Sequence, residues 1–286
     1  MGEPLACRVR GDGVELQLYE WAGDGRPILL AHATGFHARC WDQVVAHLPG
    51  RHVYAVDMRG HGLSDKPEPP YDWRAFGRDV AAVARELDLA GAIGAGHSKG
   101  GYAITRAAAE EPGAFAALLL VDPVIMPPEM YRQPRPAREH FPAKRRNHFA
   151  SPAEMEERFR GRAPFDRWGP AVLHDYCQYG LVPDPHGHGY VLACPPEVEA
   201  STYGGALDSG DIYDDVAKIT VPVRVLRAGQ RDAGGIGMNG SPTFPGLAAC
   251  FKDGEDVPVA GMSHLMAMED PALIARHILE LEERIR

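Results

Sequence analysis

Several features are missing from this 286-residue chain, and each absence closes off a class of function. No apolar run approaches the roughly 18 residues that cross a bilayer, so a membrane span is not expected. The first residues, Met1-Gly2-Glu3-Pro4, lack the basic and apolar regions of a secretory leader. Cys7 stands where a myristoylation signal wants Ser or Thr. Five cysteines are scattered without a CxxC pair, an odd number that reads as reduced thiols and a cytoplasmic setting. There is no long basic stripe to neutralise phosphates, and the net charge of −9 argues against a nucleic-acid partner. The short Lys144-Arg145-Arg146 cluster reads as a solvated helix face. Internal repeats and low-complexity segments are absent. Gly94-x-Gly96 would need a third glycine at position 99 for a dinucleotide fingerprint, and Lys99 stands there. His186-Gly187-His188 has no third ligand nearby, so no metal is expected.

What is present is a rhythm. An antiparallel hairpin over residues 7–21 is followed by alternating strands and helices. Strands are predicted at 27–32, 52–57, 92–97 and 115–122, and helices at 41–48, 73–89 and 99–110. Alternation of this kind implies an α/β fold with a mostly parallel, doubly wound sheet. The rhythm breaks after Asp122. Residues 123–208, rich in Pro, Arg, His and aromatics, are expected to form an inserted helical cap, with helices near 137–149, 153–160 and 171–179. The core resumes at 209–286 with strands at 221–228 and 256–259 and a terminal helix at 271–286.

The chemistry centres on Gly96-His97-Ser98-Lys99-Gly100, a Gly-x-Ser-x-Gly set between a predicted strand and a predicted helix. A tight turn there projects a serine hydroxyl into a cleft, and the glycines let strand and helix approach it. A serine is a poor nucleophile without a base. His264, in Gly261-Met262-Ser263-His264, lies in the loop before the last helix, at the sheet edge where open α/β folds bind ligands. Asp232, after the strand 221–228, is the preferred acid to orient that imidazole. Asp122, at the end of the preceding strand, is the rival and is read as a turn into the cap. One oxyanion donor is expected to be the backbone N–H of Lys99, and the other to come from the loop His32-Ala33-Thr34-Gly35-Phe36. Possible lining residues are His32, Met126, Met130, Trp168 and Met262.

Together with Asp57-Met58-Arg59-Gly60-His61-Gly62-Leu63-Ser64-Asp65, Gly229-x-x-Asp232 and Gly261-x-x-His264, these motifs resemble the α/β-hydrolase family over nearly the whole chain except the cap. By that resemblance Ser98, Asp232 and His264 match the family triad, in its usual chain order, and Thr34 and Lys99 match its oxyanion positions. The segment around Arg59 is similar to a family structural turn. One departure is His32-Ala33, where the family commonly has His-Gly. Serine at the elbow, where related dehalogenases and epoxide hydrolases carry aspartate, implies ester, thioester, lactone or activated carbon–carbon substrates. The expected activity is that of a carboxylesterase- or lactonase-like hydrolase. It would act on a small, apolar-leaning molecule without metal or organic cofactor, as a monomer or homodimer, with no nucleic-acid or membrane partner. The alternatives are a carbon–carbon bond hydrolase with the same triad and a small-molecule receptor on the same scaffold.

Overall fold

The computed structural model describes residues 2–132, 144–229 and 240–286. An eight-stranded sheet runs in the order β1-β2-β4-β3-β5-β6-β10-β11, made of β1 (Leu5–Arg10), β2 (Glu15–Trp21), β3 (Asp24–Ala31), β4 (Arg51–Val56), β5 (Ala92–His97), β6 (Phe115–Val121), β10 (Val223–Ala228) and β11 (Gly254–Val259). The first hairpin and its junction to β4 are antiparallel, and every later pairing is parallel.

The central strands are buried on both faces, and their side chains alternate between two apolar layers. Leu119 and Val121 of β6 join the layer of Ile28, Leu30, Ile93 and Ala95, whereas Leu118 and Leu120 join that of Leu29, Ala31, Val223 and Val225. Helices α1 (Asp42–Ala46) and α9 (Pro271–Arg284) cover the first face. Helices α2 (Trp73–Glu86), α3 (Lys99–Glu110) and α7 (Ile212–Val216) cover the second. Asp72 caps α2 by accepting from Arg74 N–H, and Asp270 caps α9 by accepting from Leu273 N–H.

Between β6 and β10 the segment expected to form a mainly helical cap also carries strands. It contains α4 (Pro152–Phe159), α5 (Pro170–Tyr179) and α6 (Pro196–Gly205), but also a small antiparallel sheet of β7 (His148–Phe149), β8 (Leu181–Pro183) and β9 (Tyr190–Leu192). The helix expected over 137–149 falls partly outside the described residues, and its described end is β7. At the start of α4 the Ser151 hydroxyl accepts from Glu154 N–H, and Glu154 Oε2 accepts from the N–H of Ala150, one residue before the cap. Among the described residues no helix is long and apolar enough to cross a membrane.

The turn around Arg59 is a structural clasp. The Asp57 carboxylate is buried and accepts from the N–H groups of Ala38 (2.6 Å) and Leu63 (2.8 Å). Burial nonetheless raises its pKa to about 6. Gly62 has a positive φ of 54°, and a Cβ there would lie 2.0 Å from that carboxylate, so only glycine fits. Arg59 pairs with Asp79 at 2.6 Å. This clasp ties the β4 exit to Ala38, at the end of the loop that follows β3.

Candidate active site

Ser98 sits between β5 and α3 with φ 57° and ψ −118°, a strained conformation for a residue with a side chain. The flanking glycines are required by contact. A Cβ on Gly96 would lie 2.3 Å from the Gly100 carbonyl oxygen, and one on Gly100 would lie 2.1 Å from that of Ala31. Strand, turn and helix can therefore approach closely enough to present the hydroxyl only with those residue types.

The Ser98 hydroxyl donates to His264 Nε2 at 2.9 Å. His264 Nδ1–H donates to Asp122 Oδ2 at 2.7 Å. The hydrogen bond between His97 Nε2–H and the His264 carbonyl (2.7 Å) holds the histidine loop over the elbow. Burial drives the His97 pKa down to about 3, so that imidazole stays neutral. Further out, Ser263 donates its hydroxyl to Glu269, and Glu269 pairs with Arg167 of the cap segment at 2.9 Å.

The geometry brings the rival acid, Asp122, to His264. Asp232 lies outside the described residues, and the position beside His264 Nδ1 is taken by Asp122. Asp122 adopts φ 43°, a left-handed conformation that Asp tolerates better than most residues. Its Oδ1 is held by Ala228 N–H (3.0 Å), the Ser241 hydroxyl (2.5 Å) and the Thr243 hydroxyl (3.2 Å), leaving Oδ2 for the imidazole. Ser241 and Thr243 escaped sequence analysis because no motif marks them. Their relation to Asp122 spans 119 and 121 positions of chain. Ser241→Ala is expected to lower turnover about tenfold, the size of one lost charge-assisted hydrogen bond. Steady-state kinetics with Asp122 otherwise intact would check it.

The backbone N–H of Lys99 lies in the first turn of α3, where N–H groups have no intrahelical acceptor. Thr34 is buried in the loop after β3. Ala33 is not among the positive-φ residues, so the departure from His-Gly introduces no left-handed strain, whereas Gly35 is left-handed at φ 77°. His32 faces inward: its Nε2 accepts from Met58 N–H at 3.0 Å, and its Nδ1–H donates to the Ala33 carbonyl at 2.7 Å. Burial keeps its pKa well below the ordinary histidine value, so it braces the loop as a neutral ring.

The other expected lining residues are dispersed. Trp168 is buried against Phe36, with ring centroids 6.0 Å apart. Met126 is buried and its carbonyl accepts from Tyr213. Met130 is in a short 3-10 turn, and Met262 packs on the core two residues before His264. A pocket beside the loop after β3 is lined by Gly35, Phe36 and His37 on one side and by Arg145, Tyr176, Gly180, Leu192, Ala193 and Cys194 on the other. Among the described residues no group of three or more His, Cys, Asp or Glu is arranged to hold a metal ion.

Residues 28–277 match the model of the alpha/beta hydrolase family. A non-heme chloroperoxidase of Streptomyces lividans is 40% identical over 125 residues, 42% of this chain and 45% of that protein. The chain thus spans under half the length of that relative, and likewise 38% of an AB hydrolase superfamily protein of Bacillus subtilis. The lipase LipV of Mycobacterium tuberculosis is 30% identical over 75% of this chain and 79% of its own length. Among solved structures, E-2-(acetamidomethylene)succinate hydrolase superposes with a TM-score of 0.80 at 24% identity, covering 98% of this chain and 99% of that one.

Proposed function

Because this chain belongs to the alpha/beta hydrolase family, we propose that it is a serine hydrolase that cleaves an ester-type acyl bond through a covalent acyl-enzyme. The observation that carries the proposal is the unbroken chain of hydrogen bonds from Ser98 through His264 to Asp122, at 2.9 and 2.7 Å. In the proposed reaction Ser98 Oγ attacks the acyl carbonyl carbon while His264 Nε2 takes its proton. The Asp122 carboxylate stabilises the imidazolium and fixes its tautomer. The N–H groups of Lys99 and Thr34 receive the developing oxyanion. The carbonyl–oxygen bond to the leaving group breaks as His264 returns the proton to it. A water, deprotonated by the same nitrogen, then attacks the acyl carbon and Ser98 departs.

Every proton in this cycle passes through one imidazole, so the residues supply the acid, the base and the nucleophile by themselves. A lipase relative that aligns over most of its length supports the ester reading. The experiment is covalent labelling with a fluorophosphonate probe. The parent is expected to incorporate one equivalent at Ser98, and Ser98→Ala to incorporate none. Undiminished label at another serine would overturn the assignment.

A further inference from the structure

The pocket against the oxyanion loop is neutral except at one point. His37 is pushed down to about 4 by burial and is uncharged at neutral pH, and burial raises the Cys194 thiol to about 12. Phe36 and Leu192 are apolar. Arg145 is the one permanently charged side chain of that lining. Its Nη1 donates to Glu199 Oε2 at 2.9 Å and its Nη2 donates to the Tyr176 hydroxyl at 2.5 Å. A guanidinium carries five N–H donors. Two are used in this way, so three remain among the described residues. The Glu199 carboxylate in turn packs on Gly35, where a Cβ would lie 2.6 Å from its Oε1. Arg145 is thus anchored by a carboxylate that rests on the residue directly after Thr34.

A guanidinium with two of its five donors engaged by described residues, among otherwise uncharged neighbours, is an unfinished recognition element. Glu199 offsets the cost of burying the charge, and the planar fork still offers donors to a second carboxylate. Resting on the serine-hydrolase reading above, we propose that Arg145 binds a carboxylate on the acyl part of the substrate, so that the enzyme takes half-esters of short dicarboxylic acids. The expected apolar-leaning substrate is replaced by one with an anionic end. Glu199, the partner of Arg145, packs on Gly35, the residue after Thr34, which puts the anion on the Thr34 side of the pocket.

The test compares monomethyl glutarate with its neutral counterpart, methyl pentanoate, by pH-stat. The parent is expected to prefer the anionic ester at least tenfold in kcat/KM, and Arg145→Gln to lower that preference about 30-fold, chiefly through KM. Glu199→Gln keeps the size and an acceptor oxygen but removes the competing charge, so it is expected to raise the preference. Glutarate should also raise the melting temperature of the parent, a readout that needs no variant. A parent without the preference would overturn the assignment. So would an Arg145→Gln enzyme that loses both esters in parallel, as a purely structural clamp would predict. Fluorophosphonate labelling in the same preparations separates the two readings: a labelled parent without preference sinks the Arg145 assignment alone, and an unlabelled parent sinks both.

Discussion

Asp122→Asn is expected to lower kcat by about 10⁴-fold, the scale at which a triad loses its correct imidazole tautomer, while Asp232→Asn stays within about threefold of the parent, because Asp122 already fills the place beside His264 Nδ1. The direction follows from the donors around the carboxylate. Oδ1 of Asp122 accepts from Ala228 N–H, the Ser241 hydroxyl and the Thr243 hydroxyl. An asparagine amide in that place must keep its oxygen toward those three donors. Its NH2 group then points at His264 Nδ1, the atom that donates to Oδ2 in the parent. The imidazole answers by accepting at Nδ1 and carrying its proton on Nε2. An Nε2–H cannot accept the Ser98 proton, so the nucleophile is not activated although every side chain remains in place. Initial rates on a neutral ester, with folding checked by circular dichroism, decide the matter. A larger loss from Asp232→Asn than from Asp122→Asn would transfer the role of the acid back to Asp232.

This choice of acid also marks how far the sequence could be read. Ser98 and His264 were legible because their motifs carry steric meaning. Gly96 and Gly100 are flanking residues that a Cβ would drive into backbone atoms, and a lone histidine between a last strand and a last helix has few other uses. The acid was ambiguous for a topological reason. β6 and β10 are parallel neighbours, so their ends reach the same rim of the sheet, and an aspartate after either strand could serve. The sequence offers no term that separates them. The deciding features are the Ala228 N–H and two hydroxyls more than a hundred residues downstream of Asp122, and only the fold brings them together.

The core strands were legible for a related reason: buried parallel strands are continuous apolar runs, and Phe115–Val121 is one. The cap was less so. Pro152, Pro170 and Pro196 each stand at the start of a helix, where a missing N–H costs nothing, but only the helices after the first two were expected. The strands Leu181–Pro183 and Tyr190–Leu192 are three residues each, too short to show a period. Their pairing comes from the turn between them and from packing on α5, not from local pattern.

Lys99 supplies the largest expected change in stability. Its backbone N–H is assigned to the oxyanion, but its side chain runs the other way into the core and is fully buried. The ammonium nitrogen lies 4.1 Å from the centroid of Phe76 and 3.4 Å from His61 Nε2, with no carboxylate in contact among the described residues. Of the charged and titratable groups around it, Asp79 and Cys194 favour its charge only weakly, and Asp79 is already paired with Arg59. Burial therefore pushes its pKa down to about 7 from an ordinary 10.5. The unfolded chain binds this proton up to about pH 10, the ordinary range of a lysine, and the folded chain only up to about 7. Folding is thus penalised below the ordinary lysine pKa, and the penalty grows as pH falls until it is complete below about 7. At 1.36 kcal/mol per unit of pKa the full penalty is about 5 kcal/mol. Lys99→Met fills the same volume, keeps the backbone N–H and places a thioether near Phe76. It also leaves His61 Nε2 without its donor, at a cost of about 1–2 kcal/mol. The net expectation is a gain of about 3 kcal/mol at pH 6.5, or about 6 °C in Tm for a chain of this size. The gain should shrink as pH rises and turn into a small loss near pH 10, where the parent lysine folds neutral and still bonds to His61. Scanning calorimetry of both proteins at pH 6.5 and 10.5 measures this crossover. A Met variant that is less stable at pH 6.5, or a difference in Tm that does not depend on pH, would mean that the buried amine is solvated or paired in a way the packing around it does not provide.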